Sequence, residues 1–353
     1  MRLAGLGVGR LGGSAPADVV GGLIAVQAQD WAGCRWALGL RAPDLLDADV
    51  ERAFADGEIL RTHLLRPTWH LVTPADIGWL LALTGPRVQQ VNAGVARRSG
   101  WDTTSLTAAM AAIGEALSGG VHLTRDELRQ VLADAGITPE AGQWMAYVMM
   151  HAELEGIVCS GPRRGRRFTY ALLDERAPNR RHLGREEALA ELALRYFTTR
   201  GPATVHDMAT WSGLTVTDVR SGLADVAAHL TSVTVDGREL WFDPARAADT
   251  PGAAPVAHLM SIFDEFISGY RDRSDIVAPE FAPHLTAMGN DLTGVVVIDG
   301  AVLGTWKRTL GRDAVTVTAS PLSDWSVAEH QAVEEAAQRF GAFLAMPIVV
   351  ETG

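Results

Sequence analysis

The chain has 353 residues, of which 47% are hydrophobic and 21% are charged, and its formal net charge is -11. This composition is typical of a globular protein with two or more domains, and it excludes a chain that is disordered throughout. The acidic balance also excludes a surface that coats DNA uniformly, because nonspecific nucleic-acid affinity comes from lysines and arginines that neutralise phosphates. Any such binding must use a local basic face.

Cellular location and covalent chemistry are also bounded by composition. No N-terminal apolar run is long enough for a signal peptide, and no stretch elsewhere could span a bilayer, so we expect a cytoplasmic protein. Cys34 and Cys159 are isolated, which fits neither a disulfide framework nor a zinc site and predicts two buried thiols. Lys307 is the only lysine, so covalent catalysis through a Schiff base is disfavoured.

The first motifs lie close to the N-terminus. The string GVGRLG at residues 7–12 has dinucleotide-binding spacing, but only MRLAGL precedes it, too short for the strand that the motif requires. We interpret it as a glycine-rich terminal segment. The next stretch, ADVVGGLIAV, predicts a helix, and VQAQDWAG follows with Gln27 and Gln29 on either side of one alanine.

The paired amides raise a question of geometry. Side chains two residues apart point to one side of an extended segment but to roughly opposite sides of a helix. Gln27 and Gln29 can therefore act together only if the helix ends near Val26. From the residues alone a structural role is the more common one, because most buried amides satisfy backbone groups.

One pattern recurs three times along the chain: a helix, a turn, a second helix and two strands with a polar tip. It predicts three tandem winged helix-turn-helix units. In the first, helices at 17–26, 31–40 and 47–55 precede ILRTHLLRPTWHLV, where Pro67 suits the tip of a wing. In the second, Thr124 and Glu127 form a capping box in LTRDELRQVLADAG, before QWMAYVMMHAELEGI and VCSGPRRGRRFTYALL. The third ends in SVTVDGRELWF, with a hairpin turn at Asp236-Gly237.

The composition changes after residue 248. DTPGAAP resembles a linker, and it is followed by a hairpin about Asp299-Gly300, a strand AVTVTAS and a closing amphipathic helix. We therefore predict an α+β fold with winged units at 1–84, 85–178 and 179–248, a mixed α/β region at 249–353 and a DNA-binding cleft.

Three further groups of residues could carry chemistry. Phe263-Asp264-Glu265-Phe266 could supply a general acid or base, but adjacent side chains diverge on a helix, so a structural ion-pair cluster is the better interpretation. The turn GPRRGRRF carries four arginines that suit phosphate contacts if it forms a wing tip. These are Arg163, Arg164, Arg166 and Arg167. The histidines share no metal-ligand spacing, so we expect neither a metal nor another cofactor.

Several stretches together carry a family resemblance. LIAVQAQDWAGCRWALGLRAP and LRTHLLRPTWHLVTPADIGWLLALTGPR resemble the AlkZ/YcaQ-like winged-helix DNA glycosylases, as do GPATVHDMATWSGL, FDEFISGYRDRSDIVAPE and DGAVLGTWKR further along. The most specific element is the Gln-x-Gln signature, matched by Gln27 and Gln29. Trp31 stands where proline is more usual, and Pro67 replaces the glycine of an Arg-Gly-Thr-x-His motif. The second departure alters a wing that approaches DNA.

The resemblance implies that Gln27 and Gln29 are catalytic and that the chain removes bulky alkyl adducts or interstrand crosslinks formed by natural-product antibiotics. It implies a monofunctional, monomeric enzyme on double-stranded DNA containing alkylated purines, at the nucleoid, with self-resistance as the natural role. Either glutamine could orient the attacking water while the other holds water or the deoxyribose. The candidate DNA-backbone contacts are Arg61, Arg66, Thr68, His70, Arg163, Arg164, Arg166, Arg167, Arg271 and Arg273.

Two alternatives stay open at this point. A winged-helix transcription regulator usually reads a palindrome as a dimer, whereas three units in one chain need no partner and QWMAYVMMHAELEG has few residues that read bases. A protein that sequesters a drug without turnover could line a pocket with some of the ten tryptophans. Most of those tryptophans are spread one per element, which suits core packing better.

Overall fold

The computed structural model describes residues 1–98, 102–137, 144–246, 254–283, 285 and 293–353. Most of the expected linker DTPGAAP and the first residue of QWMAYV lie outside these ranges. The described residues form a mixed α and β structure that contains four separate sheets.

The first sheet is built from the N-terminal part of the chain. The elements in order are α1 (Arg2–Gly5), α2 (Pro16–Leu23), β1 (Val26–Gln27), α3 (Trp31–Gly39), α4 (Asp47–Asp56), β2 (Leu60–Leu64), β3 (Thr68–Val72) and α5 (Pro74–Arg98). Strands β1 and β2 both pair antiparallel with β3, which lies between them. The helix before the glutamines ends at Leu23, three residues earlier than the Val26 expected from the sequence, because Ile24 adopts a positive φ of 70° and turns the chain into β1.

The second sheet repeats this order of elements. They are α6 (Thr103–Leu117), β4 (Leu123–Thr124), α7 (Arg125–Asp134), α8 (Trp144–Leu154), β5 (Val158–Arg164), β6 (Arg167–Leu172) and α9 (Leu173–Arg176). The capping box at the start of α7 is confirmed, since the Thr124 hydroxyl accepts from the backbone N–H of Glu127. The boundary expected at residues 84/85 falls inside α5, which runs continuously towards the second set of elements.

The third set is α10 (Arg185–Arg200), α11 (Val205–Ser212), α12 (Val216–Val226), a 3-10 turn (Ala227–His229), β7 (Thr231–Val235), β8 (Arg238–Phe242) and a second 3-10 turn (Pro244–Arg246). The hairpin at Asp236-Gly237 is confirmed, and both turn residues have the positive φ that a tight hairpin requires. A bridge between Ala203 and Trp241 takes the place of a first strand.

The C-terminal region contains a five-stranded sheet in the order β13-β12-β11-β10-β9. Its elements are β9 (Ala257–Met260), α13 (Glu265–Ser268), β10 (Gly294–Ile298), β11 (Ala301–Leu310), β12 (Val315–Pro321), α14 (Val327–Leu344) and β13 (Ile348–Thr352). Neighbouring strands are antiparallel except for β12 and β13, which are parallel because α14 connects them. The hairpin about Asp299-Gly300 and the closing helix are confirmed.

The first sheet is buried on both faces. Val26 and Leu71 pack into the core shared with the C-terminal sheet, whereas Leu60, Leu64 and Val72 pack into the core shared with α5 and α10 to α12. The second set of elements has a smaller core of its own. The strand that carries Gln27 is therefore held between two large hydrophobic cores, which fixes its position.

Candidate active site

Gln27 is placed in the interior by strand pairing and by one carboxylate. It lies opposite His70 in the antiparallel pairing of β1 with β3, and its backbone N–H donates to Glu265 Oε1 at 3.0 Å. Its side chain is only 7% exposed, and its Oε1 atom has no hydrogen-bond partner within the described residues. A buried amide oxygen without a protein partner is costly unless it accepts from water or a ligand.

Gln29 lies on the same strand edge but is exposed. The backbone N–H of Ala28 donates to the Trp69 carbonyl at 2.7 Å, so the antiparallel pairing continues past the end of β1. Gln29 itself lies in a bend two residues beyond the buried Gln27. One amide is thus buried and the other exposed, and their joint action stays a prediction.

His70 is the central member of a row across the first sheet. It is paired with Gln27 on one side and with Thr62 on the other, which places neighbouring Cβ atoms roughly 5 Å apart. His70 Nδ1 lies 3.0 Å from the Thr68 carbonyl, and burial lowers the pKa of the ring to about 3. The ring is therefore neutral with its proton on Nδ1, which leaves Nε2 as an acceptor.

The row is rich in buried polar atoms that the protein itself does not satisfy. Besides Gln27 Oε1, these atoms are His70 Nε2 and the hydroxyl oxygens of Thr62 and Thr68, none of which has a partner in the described ranges. We call the side chains of Gln27, Thr62, Thr68 and His70 the polar row. Such a concentration on one face suits the binding of water and a polar substrate rather than core packing.

Arginines add positive charge beside the polar row. Arg66, on the turn between β2 and β3, is half-buried, and its Nε and Nη2 atoms have no partner among the described residues. Burial lowers the pKa of Arg66, and the like charge of Arg273 acts in the same direction. Arg273 is also half-buried and donates from Nε to the Ile267 carbonyl at 2.9 Å. Two cations with similar surroundings thus lie close to one site.

Glu265 holds the polar row against the third set of elements. Its Oε2 atom accepts from Arg200 Nη2 at 2.6 Å and from Trp211 Nε1 at 2.9 Å, while Oε1 accepts from Gln27. The preceding Asp264 accepts from both terminal nitrogens of Arg41, at 2.8 and 3.0 Å. The interpretation of these adjacent acids as a structural ion-pair cluster is therefore confirmed.

The arginines expected at wing tips divide into two classes. Arg163 lies 2.5 Å from Glu51, and Arg164 lies 2.7 Å from Glu127, so both serve ion pairs within the protein. The phosphate contacts expected of these two arginines would compete with these ion pairs, and they stay a prediction. Arg166 and Arg167 are exposed and make no ion pair with any described residue.

The other candidate contacts also vary in accessibility. His70 has no exposed surface, so the backbone-contact role expected for it does not fit its place beneath Gln27. Arg61 is buried and donates from Nε to the Ala28 carbonyl at 3.1 Å. Arg271 is exposed, and its backbone N–H donates to Asp207 Oδ1 at 2.9 Å.

Sequence reasoning missed Thr62 and the support from Glu265. Thr62 could have been found from strand pairing, because it lies opposite His70, which the family motif singled out. The contact of Glu265 with Gln27 spans 238 residues and has no local signal. Over the described ranges, no group of three His, Cys, Asp or Glu side chains could hold a metal ion. In the same ranges, no helix has both the length and the apolar character needed to cross a membrane.

Comparisons with known proteins identify the family to which the chain belongs. The family model for AlkZ-like DNA glycosylases matches residues 20–343, so the chain belongs to that family. It is therefore a DNA glycosylase, a hydrolase of the N-glycosidic bond, and its substrate is DNA with damaged bases.

Two relatives from Streptomyces sahachiroi support this assignment. An interstrand DNA cross-link repair glycosylase is 30% identical over 307 residues, which cover 82% of this chain and 81% of the relative. The solved structure of the DNA glycosylase AlkZ superposes with a TM-score of 0.80 at 25% identity, covering 99% of this chain and 97% of that one.

Proposed function

We propose that the enzyme releases purines made cationic by alkylation, in particular bulky N7-alkylguanine adducts, and that it also unhooks interstrand crosslinks. The observation that carries this proposal is the chemistry of the polar row. Its four side chains are an amide, an imidazole and two hydroxyls, and none of them is a carboxylate. Both carboxylate oxygens of Glu265 are already occupied by donors from Gln27, Arg200 and Trp211. The site thus offers dipoles rather than a strong acid.

Dipoles suffice for this class of substrate. Alkylation at guanine N7 or adenine N3 leaves the base positively charged, so it departs as a neutral molecule and needs little acid catalysis. The enzyme must place a water molecule beneath C1′ and stabilise an oxocarbenium-like centre, which is a task of positioning and electrostatics. A glutamine oxygen can accept from the water and face the developing charge, but it is far too weak a base to help expel an unmodified purine.

Burial suggests how the two glutamines divide this task. Gln29 is exposed where the DNA must approach, and we assign it the orientation of the attacking water. Gln27 is buried with a free Oε1 atom, and we assign it the binding of a second water or of the deoxyribose. His70 Nε2 accepts a hydrogen bond from the same water network, since its ring is neutral.

The product is an abasic site, because the only lysine, Lys307, makes no contact with Gln27 or Gln29 among the interactions of the described residues. Lys307 is exposed on β11, and no amine accompanies Gln27 in the polar row. A lysine Schiff base, which would lead on to strand cleavage, therefore has no candidate at this site. The enzyme acts as a monofunctional glycosylase.

DNA reaches the site as an intact duplex in an open cleft, which accommodates an adduct too bulky for a tight base-flipping pocket. We infer that the three repeated sets of elements are winged helix-turn-helix units, at 1–84, 85–178 and 179–248, beside the region 249–353. Arg66, Arg273 and Arg271 are the proposed backbone contacts near the glutamines, and Arg166 and Arg167 are those of the second unit. The enzyme works as a monomer at the nucleoid.

The relative named for cross-link repair supports crosslinks as substrates, and self-resistance to a DNA-alkylating natural product is the role that we propose. The test is multiple-turnover release of base from duplexes that carry N7-methylguanine, a bulky N7 adduct or a crosslink. We expect release of the bulky adduct with more than one turnover per enzyme. Protection of DNA in a fixed stoichiometry without base release would favour drug sequestration, and tight binding to one undamaged sequence would favour a regulator.

A further inference from the structure

A cavity of about 340 Å³ lies between the first sheet and the second set of elements. It adjoins the glutamine segment, because Arg61, one of its walls, donates to the carbonyl of Ala28. It lies on the opposite face of the sheet from the polar row, since Arg61 and Trp69 alternate with Thr62 and His70 along β2 and β3. The cavity is therefore close to the proposed reaction site but separate from it.

The walls combine aromatic rings with guanidinium groups. The central carbon of the Arg61 guanidinium lies 4.3 Å from the ring centroids of both Trp69 and Phe168. Trp69 Nε1 is a buried donor that has no acceptor in the described parts of the chain. The hydroxyl of Tyr170, another wall, lies 3.3 Å from Arg125 Nη2. Flat rings and free donors together suit a planar ligand that carries acceptors.

Arg61 is the most informative of these residues. It is only 8% exposed, yet no carboxylate of a described residue lies within ion-pair distance of it. The nearest acidic influence is Glu153, whose carboxylate pairs with His63 instead. A buried cation without a counter-charge is costly, because its desolvation is not offset. Trp69 and Phe168 already supply π surface to this guanidinium, so what a ligand would add is the missing negative charge.

The balance of charge in the rest of the cavity points the same way. Arg125 and Arg167 also line it, and neither forms an ion pair with a described residue. The one acid of the lining, Asp126, is already paired with Arg129 at 2.7 Å. In a chain with a net charge of -11, three unpaired arginines around one cavity form a marked local excess of positive charge.

We propose that this cavity binds one nucleotide unstacked from the DNA, with its base against the wall formed by Trp69, Phe168 and Tyr170 and its phosphate at Arg125 and Arg167. The inference rests on the proposed function only in taking damaged DNA as the ligand. Stacking on an aromatic ring or an arginine plane is the usual way in which proteins hold unstacked bases, and arginine is the usual partner of phosphate. Of the two sources, the nucleotide opposite the lesion and the lesion nucleotide itself, we assign the first, because the cavity lies on the other face of the sheet from the polar row, where the lesion must lie to react.

Photocrosslinking distinguishes these two sources without requiring catalysis. One duplex carries 5-iodouracil opposite a tetrahydrofuran abasic analogue, and the other carries 5-iodouracil at the target position opposite adenine. Each is bound to the full-length enzyme, irradiated and digested, and the crosslinked peptide is identified by mass spectrometry. A crosslink to Trp69, Phe168 or Tyr170 from the first duplex assigns the cavity to the opposite nucleotide, and one from the second assigns it to the target nucleotide.

Variants test whether the walls bind as proposed. Trp69→Leu removes a stacking surface and is expected to weaken binding of the crosslinking duplex about tenfold. Arg167→Gln, at an exposed position where folding is not at risk, is expected to reduce the salt dependence of binding by about one unit of slope. Arg87→Gln, on an exposed part of α5 away from the cavity, is the matched control and should behave as the wild type.

Two results overturn the cavity assignment. These are a crosslink to a wall residue from the second duplex alone, and binding of both duplexes without a crosslink to any wall residue. Both leave the glycosylase proposal standing, which fails instead if no base is released from the alkylated duplexes.

Discussion

Replacing Glu265 by glutamine tests whether the contact of this side chain with Gln27 matters for base release, apart from its effect on the free energy of unfolding. The carboxylate has no exposed surface, forms an ion pair with Arg200 and accepts the backbone N–H of Gln27. Glu265→Gln keeps the shape but leaves the Arg200 charge buried without a partner. Loss of one partner of a buried ion pair costs about 3–5 kcal/mol. We expect a loss of that size in the free energy of unfolding, measured by urea denaturation.

The adjacent pair supplies a matched control. Asp264 and Arg41 are also without exposed side-chain surface and are ion-paired at 2.8 Å, but they do not contact Gln27. Asp264→Asn should therefore cost a similar free energy of unfolding. Under conditions in which both variants are folded, the rate of base release by Glu265→Gln should be the lower by at least tenfold. The new amide has one acceptor oxygen where the carboxylate has two, so the Gln27 N–H must compete for it with the donors of Arg200 and Trp211.

A second substitution checks the electrostatic part of this reasoning. In the double variant Glu265→Gln with Arg200→Met, the uncompensated charge is absent, so part of the lost free energy of unfolding should return. Base release should remain low, since Trp211 Nε1 still competes with the Gln27 N–H for the single amide oxygen. Equal base-release rates for folded Glu265→Gln and Asp264→Asn would refute the assignment of Glu265 as a positioning residue.

Three further predictions concern stability and reactivity. Burial lowers the pKa of His70 to about 3, so below pH 6.5 the ring takes up a proton when the protein unfolds. The free energy of unfolding should therefore fall by about 1.4 kcal/mol per pH unit as the pH drops towards 3. His70→Gln should lose this part of the slope between pH 6 and 5 in urea titrations, and an unchanged slope would contradict the reasoning. Gly213 has a φ of +71°, and an added Cβ would collide with a carbonyl of the β2–β3 turn, so Gly213→Ala should lower the free energy of unfolding by about 1–3 kcal/mol. Gly136 has a φ of +75° but open space around it, so Gly136→Ala should cost less. Equal losses in the two variants would argue against the collision. Burial raises the pKa of Cys34 and of Cys159 to about 12. Neither thiol should therefore react with a disulfide reagent at pH 8 until urea unfolds the protein. Rapid labelling of either thiol in native buffer would contradict their burial.

The elements with local signals could be predicted from the sequence. Thr124 begins a helix with its own capping box, and Asp236-Gly237 closes a hairpin, because in each case the deciding hydrogen bonds or dihedral angles involve residues only a few positions apart. The end of the helix before Gln27 is expected near Val26 on condition that the two amides act together, and the helix ends at Leu23. The resemblance singled out Gln27 and Gln29 as the catalytic pair, which stays a prediction.

The surroundings of the site could not be predicted in the same way. The ion pair of Arg163 with Glu51 joins residues 112 positions apart, and the contact of Gln27 with Glu265 joins residues 238 positions apart. Neither pair has a sequence spacing that would reveal it. The arginine turn therefore suggested four candidate phosphate contacts, whereas tertiary packing pairs two of these arginines with Glu51 and Glu127. Buried partners of this kind emerge only when distant segments are brought together.

The most direct test of the account is the single-turnover release of a bulky N7-alkylguanine from duplex DNA by Gln27→Ala and Gln29→Ala. Gln331→Ala, at an exposed position on α14, is the matched control. We predict that each active-site variant binds the damaged duplex like the wild type but releases base roughly 10²–10³-fold more slowly, as for the loss of one oriented dipole. Wild-type rates of release by both variants would contradict the proposal that the paired amides carry out the reaction.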